Sequence, residues 1–349
     1  MNMKRLYNKA GFVNWEAVLK DGFPFTFCVG GRGTGKTYGV LKYAVENKIR
    51  FLYLRRTQKQ LDIIQKEEFS PFKPLNSDLC WNVQPIKFTK DNSAFYQCEV
   101  DENGKFVPSG ELLGYTAALS TFSSLRSFDA SDVEMIIYDE FIPERHEKRI
   151  KHEASAFFNA IETVNRNREL KGKKFTQVVC LANSNDAANP LFMELNLVDI
   201  ALKQIDNGTE IYTDKNRGVL LINLLKSPIS KEKQNTALYR LTKNTSFYNM
   251  SVQNDYVNNV PSNIKSRNLV LYIPVIQIGE ICIYKHKSDL EYYITNHKSG
   301  TMPYFNTDDT SLLRVKRRYR HLVIAYLQNK IVFENYHCEV LFTRYLLDS

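Results

Sequence analysis

Apolar and polar positions fall into two regimes along the chain. Up to about residue 190, four short runs are apolar at nearly every position: Phe25–Val29, Phe51–Leu54, Val133–Tyr138 and Phe175–Ala182. Unbroken runs of this kind are the pattern of strands covered on both faces. Between them the spacing turns helical. Val40, Leu41, Ala44 and Val45 recur within 38–47, and Ile150, Ala154, Phe157, Phe158, Ile161 and Val164 recur within 150–169. Strands alternating with helices predict an α/β domain whose sheet is mainly parallel. The segment 71–115 carries turn signals and short strands, and reads as an insertion before the third run.

The pattern changes after residue 227. Residues 227–268 are polar and rich in Asn, Ser, Thr and Lys, with Pro228 and Pro261. Beyond them, Leu269–Ile278 and Ile281–His286 flank Gly279-Glu280 as a hairpin, and Glu291–Ile294 reads as a third strand. Residues 312–328 predict a helix, 330–334 a strand and 336–347 a last helix. That is the element order of an RNase H-like α+β core. The expected division is 1–195 for the first domain, 196–230 for a linker or lid, and 231–349 for the C-terminal domain.

Composition narrows the class. With 349 residues and 43% apolar side chains the chain has ample material for two cores, which excludes a disordered or fibrous chain. No apolar run approaches the roughly 18 residues of a membrane span, and residues 1–20 lack the apolar core of a signal peptide. The six cysteines show no CxxC spacing, so reduced thiols in a cytosolic protein are expected. The net charge is +9 and is uneven. Residues 1–230 carry 31 basic and 28 acidic side chains, whereas 231–349 carry 16 and 10, a net of +6 in the last third. The imbalance suggests a polyanion-binding part, or a solvated basic face.

The chemistry begins where the first apolar run ends. Gly30-Gly31-Arg32-Gly33-Thr34-Gly35-Lys36-Thr37 is a complete G-x-x-x-x-G-K-[ST] phosphate loop between a strand and a helix. Its glycines let backbone N–H groups face phosphate, and the helix N-terminus adds its dipole. Lys36 is expected on the β- and γ-phosphates, and the Thr37 hydroxyl on Mg²⁺. Arg32 either touches the terminal phosphate or faces solvent. The third run delivers Asp139-Glu140 to a strand end, a Walker B pattern in which Asp139 holds Mg²⁺ and Glu140 orients water. Phe51–Leu54 delivers Arg55-Arg56 near nucleotide or DNA. The helix over 150–169 ends in Arg166-Asn167-Arg168, a place that the helix dipole favours for arginine and that also suits an arginine finger. Arg126 is a second candidate for a charge supplied in trans. Asn183, after the fourth run, is placed to sense the γ-phosphate or the attacking water.

The C-terminal domain raises a nuclease reading that its residues resist. Such enzymes need clustered carboxylates holding divalent metal. The strand Asn268–Gln277 has no Asp or Glu, leaving Glu334 and Asp308 or Asp309. The predicted helix instead carries Arg314, Lys316, Arg317, Arg318 and Arg320, five basic residues within seven positions. They suit sequence-independent phosphate contact with strong salt dependence, and a solvated helix face would look the same.

Together these residues resemble the DNA encapsidation ATPases of φ29-like tailed bacteriophages, relatives of large terminase subunits. The resemblance rests on Gly30–Thr37, Phe51–Arg56, Tyr138-Asp-Glu-Phe141, Thr163–Glu169 and Cys180-Leu-Ala-Asn183 with Asn189-Pro190. It implies an additional-strand P-loop ATPase domain, a small linker and an RNase H-like domain that has lost its nuclease site. It implies ATP and Mg²⁺ as cofactors, Glu140 as catalytic carboxylate, and Arg166 or Arg126 acting in trans. It further implies a homo-oligomeric ring, commonly pentameric, docked on the portal (connector) of the empty prohead and driving double-stranded DNA inward. In some members a packaging RNA bridges motor and prohead. It implies action in the host cytoplasm, at the portal vertex, with no membrane and no place in the mature virion. Two rivals stay open from sequence: a terminase that also cuts DNA, and a nucleotide-gated nucleic-acid-binding assembly protein.

Overall fold

The computed structural model describes residues 5–89, 91–125, 130–144, 147, 150–245, 248, 251 and 263–347. The chain divides into two compact units, one of residues 1–194 with 200–257, the other of 195–199 with 258–349.

The first unit is built on a nine-stranded sheet. Its strands are β1 Phe25–Val29, β2 Phe51–Arg55, β3 Val83–Lys87, β4 Ser93–Val100, β5 Phe106–Ala118, β6 Met135–Asp139, β7 Gln177–Ala182, β8 Ile211–Asp214 and β9 Val219–Asn223, in the order β3-β4-β5-β2-β6-β7-β1-β9-β8. Six adjacent strands, β5-β2-β6-β7-β1-β9, are joined by five parallel pairings, and antiparallel pairs close both edges. All five positions of β2, β6 and β9 are buried. Alternate side chains explain why both faces must be covered. On one face Cys28, Phe51, Tyr53, Ile137, Val179 and Leu181 pack with Val40, Leu41 and Ala44 of the Lys36–Glu46 helix. On the other, the Phe27 ring meets Phe141 and Phe192 at 5.8 Å each, and Tyr138 stacks on Phe157 of the Glu153–Asn165 helix at 5.0 Å.

Two segments take more part in the sheet than their sequence suggests. Residues 71–115, expected as an insertion, supply the edge strands β3 and β4 and most of β5. Only the C-terminal half of β5 is buried against β2, so the strand reads as largely polar. Residues 196–230, expected as a linker or lid, supply β8 and β9, with β9 paired directly to β1. That pairing joins positions far apart in sequence, which local periodicity does not reveal.

The second unit carries a five-stranded sheet. β10 Tyr272–Ile278, β11 Ile281–His286 and β12 Tyr292–Thr295 form an antiparallel meander, flanked by β13 Tyr304–Phe305 and β14 Ile331–Phe333 in the order β13-β10-β11-β12-β14. The expected helix over 312–328 is two helices, Asp309–Arg318 and Arg320–Leu327. The break is at Tyr319, whose backbone leaves the helical region at φ −112°, ψ 30° while its ring is buried against Phe305. All six cysteines are free thiols, and five are buried. Among the described residues no helix is long and apolar enough to cross a membrane.

Candidate nucleotide site and basic helix

The parallel strands β1, β2, β6 and β7 all end at one edge of the sheet, and each end carries a residue singled out above. Ligands of open α/β sheets bind outside these carboxyl ends. Here a cleft of about 290 Å³ is lined by Arg32, Gly33, Gly35, Lys36, Thr37, Asp139, Glu140 and Asn183, among others. One strand, β7, separates the strand leading to the phosphate loop from the strand bearing the acids.

The loop's shape follows from its glycines. Gly33 and Gly35 have φ of 69° and 84°, where a side chain would be strained. The turn they permit folds the loop over Lys36, whose side chain is buried. Its Nζ donates to the Gly30 and Gly31 carbonyls at 2.9 and 2.7 Å and lies 3.4 Å from Asn183 Oδ1. Burial pushes the ammonium down to about 8, and Cys28 and Asp139 oppose the shift. Carbonyl contacts of this kind can be exchanged for phosphate oxygens when a ligand enters.

The acids sit opposite. Thr37 Oγ1 lies 3.1 and 3.2 Å from the two carboxylate oxygens of Asp139, so a hydroxyl and a carboxylate converge on one point. Such hard oxygen donors suit Mg²⁺. Asp139 also accepts from Tyr53 Oη at 2.5 Å, and burial, with the charge of Asp139, holds that phenol well above its ordinary range. Arg55, nearly buried, reaches Asp139 at 3.4 Å and forms a close ion pair with Glu140. Glu140 is half exposed and has a φ of 57°. Non-glycine residues in that region cluster at functional sites.

The arginines separate into distinct roles. Arg56 is fully buried and pairs with Glu153 and Glu147, so it ties β2 to the Glu153–Asn165 helix and faces neither nucleotide nor DNA. Arg168 turns inward onto the Val133 carbonyl and Thr176 Oγ1. Arg166 stays exposed at the helix C-cap, with consecutive positive φ at Arg166 and Asn167, and does not line its own chain's cleft. Arg126 lies outside the described residues. Arg32 pairs with Glu144 at 2.7 Å on the surface.

Three features were not visible in the pattern. Tyr53 reads as an ordinary strand residue, and only its position one turn of the pleat before Arg55 hints at contact with an acid. Lys233 comes to rest on Gly33 from far along the chain. A second cleft of about 600 Å³, lined mainly by apolar surface from Phe12, Val13, Trp15, Tyr38 and Tyr43, shares Gly33, Gly35 and Tyr38 with the first.

In the second unit Arg314, Arg317, Arg318 and Arg320 are exposed, whereas Lys316 is half-buried. Val315 is the fully buried anchor of this helix, and the Arg318 guanidinium lies 5.6 Å from the Tyr319 ring. The helix break puts Arg320 on the following helix.

A phosphate loop after β1, an acid pair at the end of β6 two strands away and a polar residue at the end of β7 between them define a P-loop nucleotide hydrolase. The sequence model of the podovirus DNA encapsidation protein (Gp16) matches residues 7–342. The chain belongs to this family, and it is a DNA packaging motor ATPase of the phi29 type. The DNA packaging protein of Bacillus phage phi29 is 27% identical over 274 residues, covering 77% of this chain and 71% of its own length. That of Bacillus phage B103 is 26% identical over 332 residues, 88% of this chain and 92% of its own. Among solved structures, the phi29 genome packaging motor assembly matches with a TM-score of 0.65 at 19% identity, over 95% of this chain and 98% of that one. The phi28 gp11 packaging motor matches at 0.60 and 20%, over 97% and 98%. At such identities the structural matches speak for the fold.

Proposed function

We propose that this chain is one subunit of a homo-oligomeric ring, a pentamer, that moves double-stranded DNA through the portal into the prohead. The observation that carries this is the convergence of Lys36, Thr37, Asp139, Glu140 and Asn183 on one cleft. The strand between β1 and β6 supports membership of the additional-strand class. Lys36 and the loop N–H groups take the phosphates, and the apolar cleft beside Tyr38 takes the base. Thr37 and Asp139 would hold Mg²⁺, which neutralises charge on the β- and γ-phosphates when bound. Glu140 orients water once Arg55 releases it, and Asn183 senses the γ-phosphate through its contact with the Lys36 region. Arg166, exposed at a helix end and turned away from its own site's lining, serves the neighbouring subunit's site, with Arg126 the other candidate.

The C-terminal unit grips polyanion without cutting it. Its element order is that of an RNase H-like core, but its strand order departs from that core. There the strand after the helix lies beside the first strand, whereas β14 lies beside β12. The remaining acids have other partners: Asp308 caps its helix through the Ser311 N–H at 2.9 Å, and Glu334 accepts from Thr295 Oγ1 at 2.6 Å. Among the described residues no group of three His, Cys, Asp or Glu is arranged to hold a metal. Arg314, Lys316, Arg317, Arg318 and Arg320 contact DNA phosphates, or a packaging RNA where one bridges ring and prohead. The ring acts in the host cytoplasm at the portal vertex and leaves before the virion matures.

The test is ATP hydrolysis and DNA protection inside proheads by wild type, Glu140→Gln and Arg166→Ala, alone and mixed. Each variant alone should be inactive. A mixture should recover hydrolysis at interfaces that pair an intact Glu140 with an intact Arg166. In rings whose subunits fire independently, no recovery of hydrolysis at any mixing ratio would overturn the trans assignment.

A further inference from the structure

Beside the phosphate loop sits a cation that the mechanism above does not use. The pairing of β9 with β1 puts it there. Leu224 N donates to the Val29 carbonyl at 2.8 Å, and the Leu224 side chain lies where a Cβ on Gly30 would stand, 2.6 Å away. The chain then turns through the Pro228–Lys233 helix. That helix ends with Lys233 against the apex of the loop. A Cβ on Gly33 would be 3.0 Å from Lys233 Nζ and 3.3 Å from its Cε.

Lys233 has no carboxylate within ion-pair distance among the described residues, and its ammonium lies 5.8 Å from the centre of the Tyr239 ring. Arg32, Lys36 and Lys233 therefore crowd one loop. Only Arg32 has an acid directly paired with it, the surface residue Glu144. Burial and the neighbouring Arg32 both push the Lys233 ammonium down from its ordinary value. Like charges gathered this closely are unfavourable until an anion joins them.

We propose that Lys233 is a second cation for the polyphosphate tail of the bound nucleoside triphosphate, supplied in cis by the helix that follows β9. The inference rests on the nucleotide reading of the cleft. Its consequence is mechanical: nucleotide binding clamps the Pro228–Leu241 segment to the phosphate loop, and loss of phosphate frees it.

Two measurements on the full-length protein test it. In titrations with ATP, ADP and AMP, Lys233→Ala and Lys233→Gln should weaken ATP binding by about tenfold, the worth of one charge-assisted hydrogen bond. ADP should lose less and AMP nothing, and Lys233→Arg should keep most of the affinity. In the wild type, brief acylation of amines read by mass spectrometry should modify Lys233 readily, with protection by ATP and none by adenosine. Unchanged ATP affinity in both neutral variants, or equal labelling with and without ATP, would overturn the inference. Lys36→Ala in the same titration separates the two failures. If Lys36→Ala abolishes binding while Lys233→Ala does not, only the role of Lys233 falls. If neither matters, the nucleotide reading of the cleft falls as well.

Discussion

Lys36 and Arg56 show how differently two buried cations are used. The Lys36 ammonium is held by carbonyl, amide and hydroxyl oxygens, and burial lowers it to about 8. An unfolded lysine titrates near 10.4. Between about pH 8 and 10.4 the unfolded chain therefore binds more protons, and the stability of the nucleotide-free protein rises with pH across that window. Phosphate reverses the preference, because it favours the ammonium. ATP binding should take up a proton at about pH 8.5, and affinity should fall as pH rises further. Calorimetry in two buffers of different ionisation enthalpy measures the uptake, and equal binding enthalpy in the two buffers would contradict it. Arg56 instead has its charge matched, by Glu153 at 2.7 Å with side-chain exposures of 0% and 1%. Arg56→Met leaves Glu153 buried and uncompensated, which should cost about 3–5 kcal/mol. Arg56→Met with Glu153→Leu should recover most of that loss. Urea unfolding of the three proteins decides it: equal stability of the single and double variants would contradict an ion-pair role for Arg56.

The basic helix is the clearest case in which the element, more than any residue in it, carries the effect. Val315 fixes the Asp309–Arg318 helix to the unit, and Arg314, Arg317 and Arg318 project from it. If each neutralises one phosphate, a triple alanine variant should lower the slope of log affinity against log salt by about 0.9 per lost contact. Filter binding of unrelated duplexes from low to high salt should show the same change for all sequences; an unchanged slope would mean a merely solvated face. The same helix shows where sequence reading stops. Its charges were plain in the chain, but its break at Tyr319 was not, because a buried ring against Phe305 overrides a continuous helical pattern. In the first unit, β1, β2, β6 and β7 were legible because each is a central strand buried on both faces. Short strands were legible within 71–115, but their place in the main sheet as β3, β4 and the outer half of β5 was not, since one exposed side dilutes the apolar signal. The phosphate loop and Asp139-Glu140 were legible through fixed local spacing. The contacts of Tyr53, Arg55 and Lys233 with them depend on which strands become neighbours, and no local pattern encodes that.

At the scale of the whole molecule, the surplus charge is shared between the two units: residues 231–349 carry +6 of the +9, but 231–257 fold with the first unit and bring Lys233 to the phosphate loop. In residues 1–230 the cations nearest the cleft answer to acids or carbonyls in the same neighbourhood: Arg55 to Glu140, Arg32 to Glu144, Lys36 to the loop. If the exposed Arg166, which does not line its own chain's cleft, serves the next copy as proposed, hydrolysis is a property of neighbouring copies. Dose dependence is then the sharpest test of the ring. Glu140→Gln preserves shape and nucleotide binding while removing the carboxylate, so the variant should assemble with wild type and stall its turn. If subunits fire independently, DNA packaging falls in proportion to the mutant fraction. If each of five subunits must fire in turn, packaging follows the chance that a closed ring holds no mutant. At equal parts that chance is about 3% of the wild-type rate, against about 50% for independent subunits. Packaging into proheads, measured as nuclease-protected DNA across a series of mixing ratios, distinguishes the curves. A linear decline would remove the coupled ring from the mechanism while leaving the cleft intact.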